Sequence, residues 1–145
     1  MSADRRVLLA VAAVQLGAGL TGAVLSVRRR HPFDTPVLSG SAAHVGRDTW
    51  WAGTALGPPA WTLAAHGWAL ARLTAGEDAT ARRVLAATGA ALVPGYLAER
   101  LVRRRLTPAG AEPAETAVVA TGLAGAVAMA VLGAQPSGAF SGVRP

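Results

Sequence analysis

The stretch TAVVATGLAGAVAMAVLGAQPSGAFSGV, residues 116–143, runs for 28 residues without a charged side chain, and Pro136 and Gly138 break its end. A helix needs about 20 mostly apolar residues to cross the roughly 30 Å of hydrocarbon in a bilayer. Three further stretches carry no charge: residues 7–27 over 21 positions, residues 49–71 over 23 and residues 84–98 over 15. Three of the four meet the required length, and the 15-residue stretch nearly does. The pattern predicts an all-α, polytopic membrane protein. It reads as a single integral membrane domain over residues 1–145, an up-down bundle of four transmembrane helices. The spans fall at about 7–27, 50–73, 82–102 and 113–134, followed by a frayed Pro/Gly/Ser-rich tail over 135–145.

Composition points the same way. Charged residues make up 15% of the chain, against about 25% in soluble domains. All 14 basic residues are Arg, while Lys, Asn and Ile are absent. That bias suits a GC-rich bacterial genome, so the expected location is the bacterial cytoplasmic membrane, with several passes. A net charge of +6 would elsewhere suggest nucleic acid. Here the arginines sit at the ends of apolar stretches, where they orient helices and meet anionic headgroups. The expected partner is therefore the lipid bilayer, with no nucleic acid. The absence of cysteine excludes disulfides, thiolate catalysis and thiolate-bound metals. No residue pattern calls for a cofactor or a metal.

Arg5-Arg6 ahead of an apolar run resembles the start of an export signal. The run, however, is 21 residues long, beyond the usual apolar core of about 7–15. It also ends in Arg28-Arg29-Arg30, a stop-transfer pattern, so it reads as a retained span. Eight arginines (Arg28, Arg29, Arg30, Arg47, Arg100, Arg103, Arg104 and Arg105) flank the side of the first and third loops, and six flank the other. This bias favours both termini outside and those loops in the cytoplasm.

Proline and glycine mark the weak points. Gly57-Pro58-Pro59 lies inside the predicted second span and should kink or break it, because each proline removes a backbone donor and clashes with the preceding turn. Pro94-Gly95 is a second such point. Glu112-Pro113 opens the fourth span with proline at the first helical position. The first loop is the longest, irregular at its start and with a short helix expected from Ser41. Ala18/Gly22, Gly19/Ala23, Gly122/Ala126 and Ala126/Ala130 place small residues at i,i+4, which lets helices approach closely in lipid. Gly17-x-Gly19-x-x-Gly22 lacks the preceding strand of a dinucleotide fingerprint and reads as packing.

Ionisable groups within spans are costly and draw attention to function. His66 lies about 9 Å along the helix from Arg72 at the end of span two, either as a ligand or relay histidine or as a helix-to-helix hydrogen bond. Tyr96, Glu99, Arg100 and Arg103 share a helical face, on which Glu99 either serves chemistry or simply pairs with Arg103 at i,i+4. The first loop lies on the same side as Glu99 and holds His44 and Asp48, which meet at i,i+4 if a helix starts at Ser41. The candidate catalytic set is Glu99, His44, Asp48 and Arg100, with Trp50, Trp51, Trp61 and Tyr96 lining a substrate pocket. An Asp beside a His raises its basicity, and a desolvated Glu can hold a proton for donation. The plainer reading of the first loop is an interfacial segment anchored by Phe33, Trp50 and Trp51.

Three functions fit these residues. One is a membrane-embedded acid–base enzyme, of isomerase, cyclase or hydrolase type, acting on a lipophilic small molecule. A second is a non-catalytic interaction or assembly subunit, pairing with itself or with another membrane protein through its small-residue faces. The third is a small-molecule exporter. The four-span layout resembles that of the small multidrug exporters, but span one offers Gln15 in place of a carboxylate.

Overall fold

The computed structural model describes residues 2–135. The tail predicted beyond Gln135 lies outside them. The described residues form six α-helices: α1 (Ala3–Arg29), α2 (Val45–Asp48), α3 (Ala60–Ala75), α4 (Ala79–Ala98), α5 (Arg100–Arg105) and α6 (Pro113–Ala134), with a single 3-10 turn at Pro108–Gly110 before α6. No strand forms among them. The protein is all-α, and α1 and α6 are long and apolar enough to cross a membrane.

The two inner helices fall short of that test for different reasons. The second helix starts at Ala60, ten residues later than the expected Trp50, and is 16 residues long, about 24 Å. Helix α4 has 20 residues, about 30 Å, but Arg82 and Arg83 in its first turns reduce its apolar character. It also ends at Ala98, because Glu99 adopts an extended conformation (φ −66°, ψ 124°) that separates it from α5. The predicted continuous third span over 82–102 is thus two helices.

The four long helices pack in a ring, each against its neighbours in sequence, and α6 closes back onto α1. Contacts at the helix ends show that neighbours run antiparallel. Arg5, near the start of α1, donates to the Leu73 and Thr74 carbonyls at the end of α3 at 2.7 and 3.0 Å. Buried Arg82, in the first turn of α4, donates to the Leu132 and Gln135 carbonyls at the end of α6. Each arginine answers orphan carbonyls that a helix end leaves unpaired. At the opposite end, Arg29 in α1 reaches Glu112 and Glu115 at the start of α6.

Glycines set the closeness of this packing. A Cβ on Gly89 of α4 would lie 2.5 Å from the Ala126 carbonyl and 2.7 Å from the Ala130 nitrogen on α6. On α6, Gly122 receives the Tyr96 ring and Gly125 the Gln15 side chain. In α3, Gly67 has nothing within 4 Å of such an atom. Gly89→Ala should therefore push α4 from α6 and destabilise the fold by about 1–3 kcal/mol. Gly67→Ala should be neutral or stabilising by up to about 1 kcal/mol. Thermal unfolding of both variants in one detergent checks the pair, and equal melting temperatures would contradict the packing described.

Candidate functional site

The site begins with a helix that does not form. Pro58 and Pro59 cannot donate backbone hydrogen bonds, and Pro59 (ψ 147°) stands as the N-cap of α3. The preceding residues turn away from α4 and dock on α1. Leu56 N–H donates to the buried Ser26 Oγ at 3.1 Å, and Thr54 and Gly57 exchange backbone hydrogen bonds at 2.9 and 3.4 Å. Gly57 sits so close to Ala23 that a Cβ would meet its backbone nitrogen at 2.6 Å, and Gly22 meets the Leu56 carbonyl in the same way. Residues 53–58 are all buried, and their polar backbone is largely satisfied by this docking.

The displaced segment leaves the C-terminal half of α4 without a helical neighbour on the α3 side. A groove of about 460 Å³ opens there, lined by residues 52–62 on one wall and by α4 from Ala87 to Ala98 on the other, with Thr35 and Glu99 at one end. Ala87, Ala91 and Gly95 repeat every fourth residue and are too small to fill it. From Thr88 to Glu99 the groove follows α4 for about 16 Å. Its lining is mainly apolar, and among the described residues Glu99 is its one charged member.

Glu99 is 8% exposed. Both carboxyl oxygens accept from the Asp34 N–H, at 3.1 and 2.9 Å, while Arg100 N–H donates to the Asp34 carbonyl at 2.9 Å. The break between α4 and α5 thus clasps the first loop. The i,i+4 pair with Arg103 does not form, because Glu99 is not helical. Arg103 instead donates to the Leu97 and Ala98 carbonyls, both at 2.7 Å. Arg100 faces Asp34 at 3.7 Å in a mostly exposed ion pair.

The sequence-selected residues divide. Glu99, Tyr96 and Trp61 line the groove; His44, Asp48, Arg100, Trp50 and Trp51 do not. The helix expected from Ser41 begins at Val45 and is four residues long, with exposed His44 as its N-cap. Asp48 is buried beside Gly40 and pairs with Arg47 at 3.2 Å, so the His44–Asp48 side-chain pair is not made. Trp50 and Trp51 are exposed. Trp51 stacks edge-on against Phe33 with centroids 5.8 Å apart, and its carbonyl accepts from Trp61 Nε1 at 3.3 Å. Buried His66 lies between α3 and α1, away from the groove's lining, and its Nε2 has no hydrogen-bond partner.

The most concentrated charge cluster was missed by the sequence reading. Glu115 is fully buried at the start of α6 and accepts from Arg29 at 2.5 Å and from Arg105 at 2.7 Å, with His31 Nε2 at 3.2 Å. Its own N–H is capped by Glu112 at 2.8 Å. The pattern Glu112-Pro113-x-Glu115 could have signalled the cap, but not the three partners, of which Arg29 and His31 lie more than eighty residues away. None of the cluster's residues lines the groove, and the cluster fastens α1, α5 and α6.

Glu115→Ala leaves two arginines without their shared carboxylate and should cost about 3 kcal/mol or more, read as a lowered unfolding midpoint in detergent.

No protein-family model, curated protein or solved structure matches this chain.

Proposed function

We propose that the chain is a four-span protein of the bacterial cytoplasmic membrane that takes a lipophilic small molecule into the α3–α4 groove, where Glu99 serves as the acid–base group of an isomerase-, cyclase- or hydrolase-type reaction. The observation that carries this reading is a single buried carboxyl at the end of an otherwise apolar groove about 16 Å long. Apolar clefts of about 300–1,000 Å³ with a few convergent polar groups are the usual form of small-molecule sites. A positioned carboxyl can donate a proton to a bound substrate or accept one from it.

The membrane reading of the inner helices rests on the same segment. Helix α3 is too short alone, and the buried residues 53–58, folded against α1, would make up the rest of that span. Irregular backbone at membrane depth is tolerated where protein covers it and answers its polar groups, as Ser26 and the Thr54–Gly57 exchange do here.

The alternative of a non-catalytic interaction subunit depends on free small-residue faces. Gly19 and Gly22 of α1 and Gly122, Gly125 and Gly133 of α6 are already packed against this chain's own residues, so we place ligand binding first. Exposed Trp50, Trp61 and Trp68 suit either a membrane interface or a partner.

Native mass spectrometry of the detergent-purified protein, with identification of what it carries, tests the proposal. The wild type should hold a discrete lipophilic molecule, and Ala91→Trp, which fills the groove, should lose it. Glu99→Gln should deplete that molecule or carry one of different mass, whereas His44→Ala, altering a residue outside the groove, should match the wild type. Bulk lipid alone in every variant would overturn the groove reading. The same molecule at equal occupancy in wild type and Glu99→Gln would overturn the acid–base role and favour the interaction subunit.

A further inference from the structure

Glu99 is a buried carboxyl whose neighbouring cations are all engaged elsewhere. Arg103 caps the end of α4 through the Leu97 and Ala98 carbonyls, and Arg100 turns outward to Asp34. On the loop side the facing groups are the Asp34 amide and carboxylate; the groove wall adds the neutral Thr35, Thr54, Trp61 and Tyr96. Among the described residues, no cation lines the groove. The Asp34 N–H occupies only part of the acceptor capacity of a carboxylate, which has about four lone-pair sites. An anionic head group placed in the groove would meet Glu99 with no lining charge to offset it. A cationic one would supply the partner that Glu99 lacks, in a setting where desolvation strengthens the pairing. Trp61, in the same lining, adds an aromatic side chain of the kind that accommodates organic cations.

We propose that the groove selects lipophilic cations, an amine or quaternary ammonium carried on an apolar chain, with the charged head at Glu99 and the chain running along α4 towards Thr88. This rests on the groove being the ligand site and names the class of molecule it takes. The apolar chain would lie against Ala87, Ala91 and Gly95, where small side chains leave room. Because the ionised carboxylate is the pairing form, cation binding tightens as pH rises.

The test uses the full chain in nanodiscs of zwitterionic lipid, with empty nanodiscs as the partition control. Binding of dodecyltrimethylammonium and of dodecanol is read by tryptophan fluorescence and calorimetry. The quaternary head keeps its charge at every pH, so any pH dependence reports the protein. At about pH 8 the cation should bind roughly tenfold or more tightly than the alcohol, a ratio equivalent to one strong charge-assisted contact. That preference should weaken as pH falls and collapse in Glu99→Gln, which should still bind the alcohol, and Ala91→Trp should bind neither. Equal binding of both probes by wild type and Glu99→Gln, abolished by Ala91→Trp, would overturn the cation assignment while leaving the groove as the site. Wild-type signals matching empty nanodiscs, or signals unchanged by Ala91→Trp, would overturn the groove reading and the assignment together.

Discussion

Two consecutive prolines, Pro58 and Pro59, impose the constraint on which the rest of the structure depends. Neither has an amide hydrogen to place in a helix, and each restricts the residue before it to extended conformations. The chain therefore cannot run as one helix from Trp50 into α3. The segment that would have been helical is folded into a tight turn and pressed onto α1, where Gly22, Ala23 and Ser26 are small enough to receive it. A full-length helix would have shielded α4 along its whole length. The displaced turn shields α1 instead, and the groove is the space left over.

The bundle tolerates that gap because its helix ends are fastened by charge rather than by extra apolar packing. Arg5 closes the end of α3 and Arg82 the end of α6, so two of the orphan carbonyl sets are answered by side chains from neighbouring helices. At the other end Glu115 joins α1, α5 and α6 through Arg29, His31 and Arg105. Buried ion clusters add little net stability against a well-packed apolar alternative, yet are costly to break. Their effect here is to set the register of α1 and α5 against α6, and with it the closeness of Gly122 and Gly125 to Tyr96 and Gln15.

Glu99 shows how one backbone torsion changes the chemistry of a side chain. In a continuous helix it would lie one turn from Arg103 and be neutralised by it. In the extended conformation observed, it reaches back to the Asp34 amide while Arg103 folds over the last carbonyls of α4. The carboxyl is left buried, hydrogen-bonded and without a cation. That combination links the fold to the proposed function, since it leaves an unmatched charge at the mouth of an apolar groove.

Much of this architecture was legible in the chain itself. The long uncharged runs of α1 and α6, the helix start at Pro113 and the disruption at Gly57-Pro58-Pro59 all follow from local rules of length, capping and proline chemistry. Glu99 and Tyr96 were singled out from a shared helical face and Trp61 as a pocket-lining aromatic, and all three line the groove. The sequence did not reveal which way the chain would turn after a break. Helical spacing implied a Glu99–Arg103 pair and a His44–Asp48 pair, and neither exists, because the spacing rule holds only where the helix is continuous. The Glu115 cluster was invisible for the complementary reason: its partners lie more than eighty residues upstream at Arg29 and His31, and no periodicity connects them. Local backbone preference was determined by the sequence alone. Which buried charge found a partner, and which did not, was decided only when the helices were brought together.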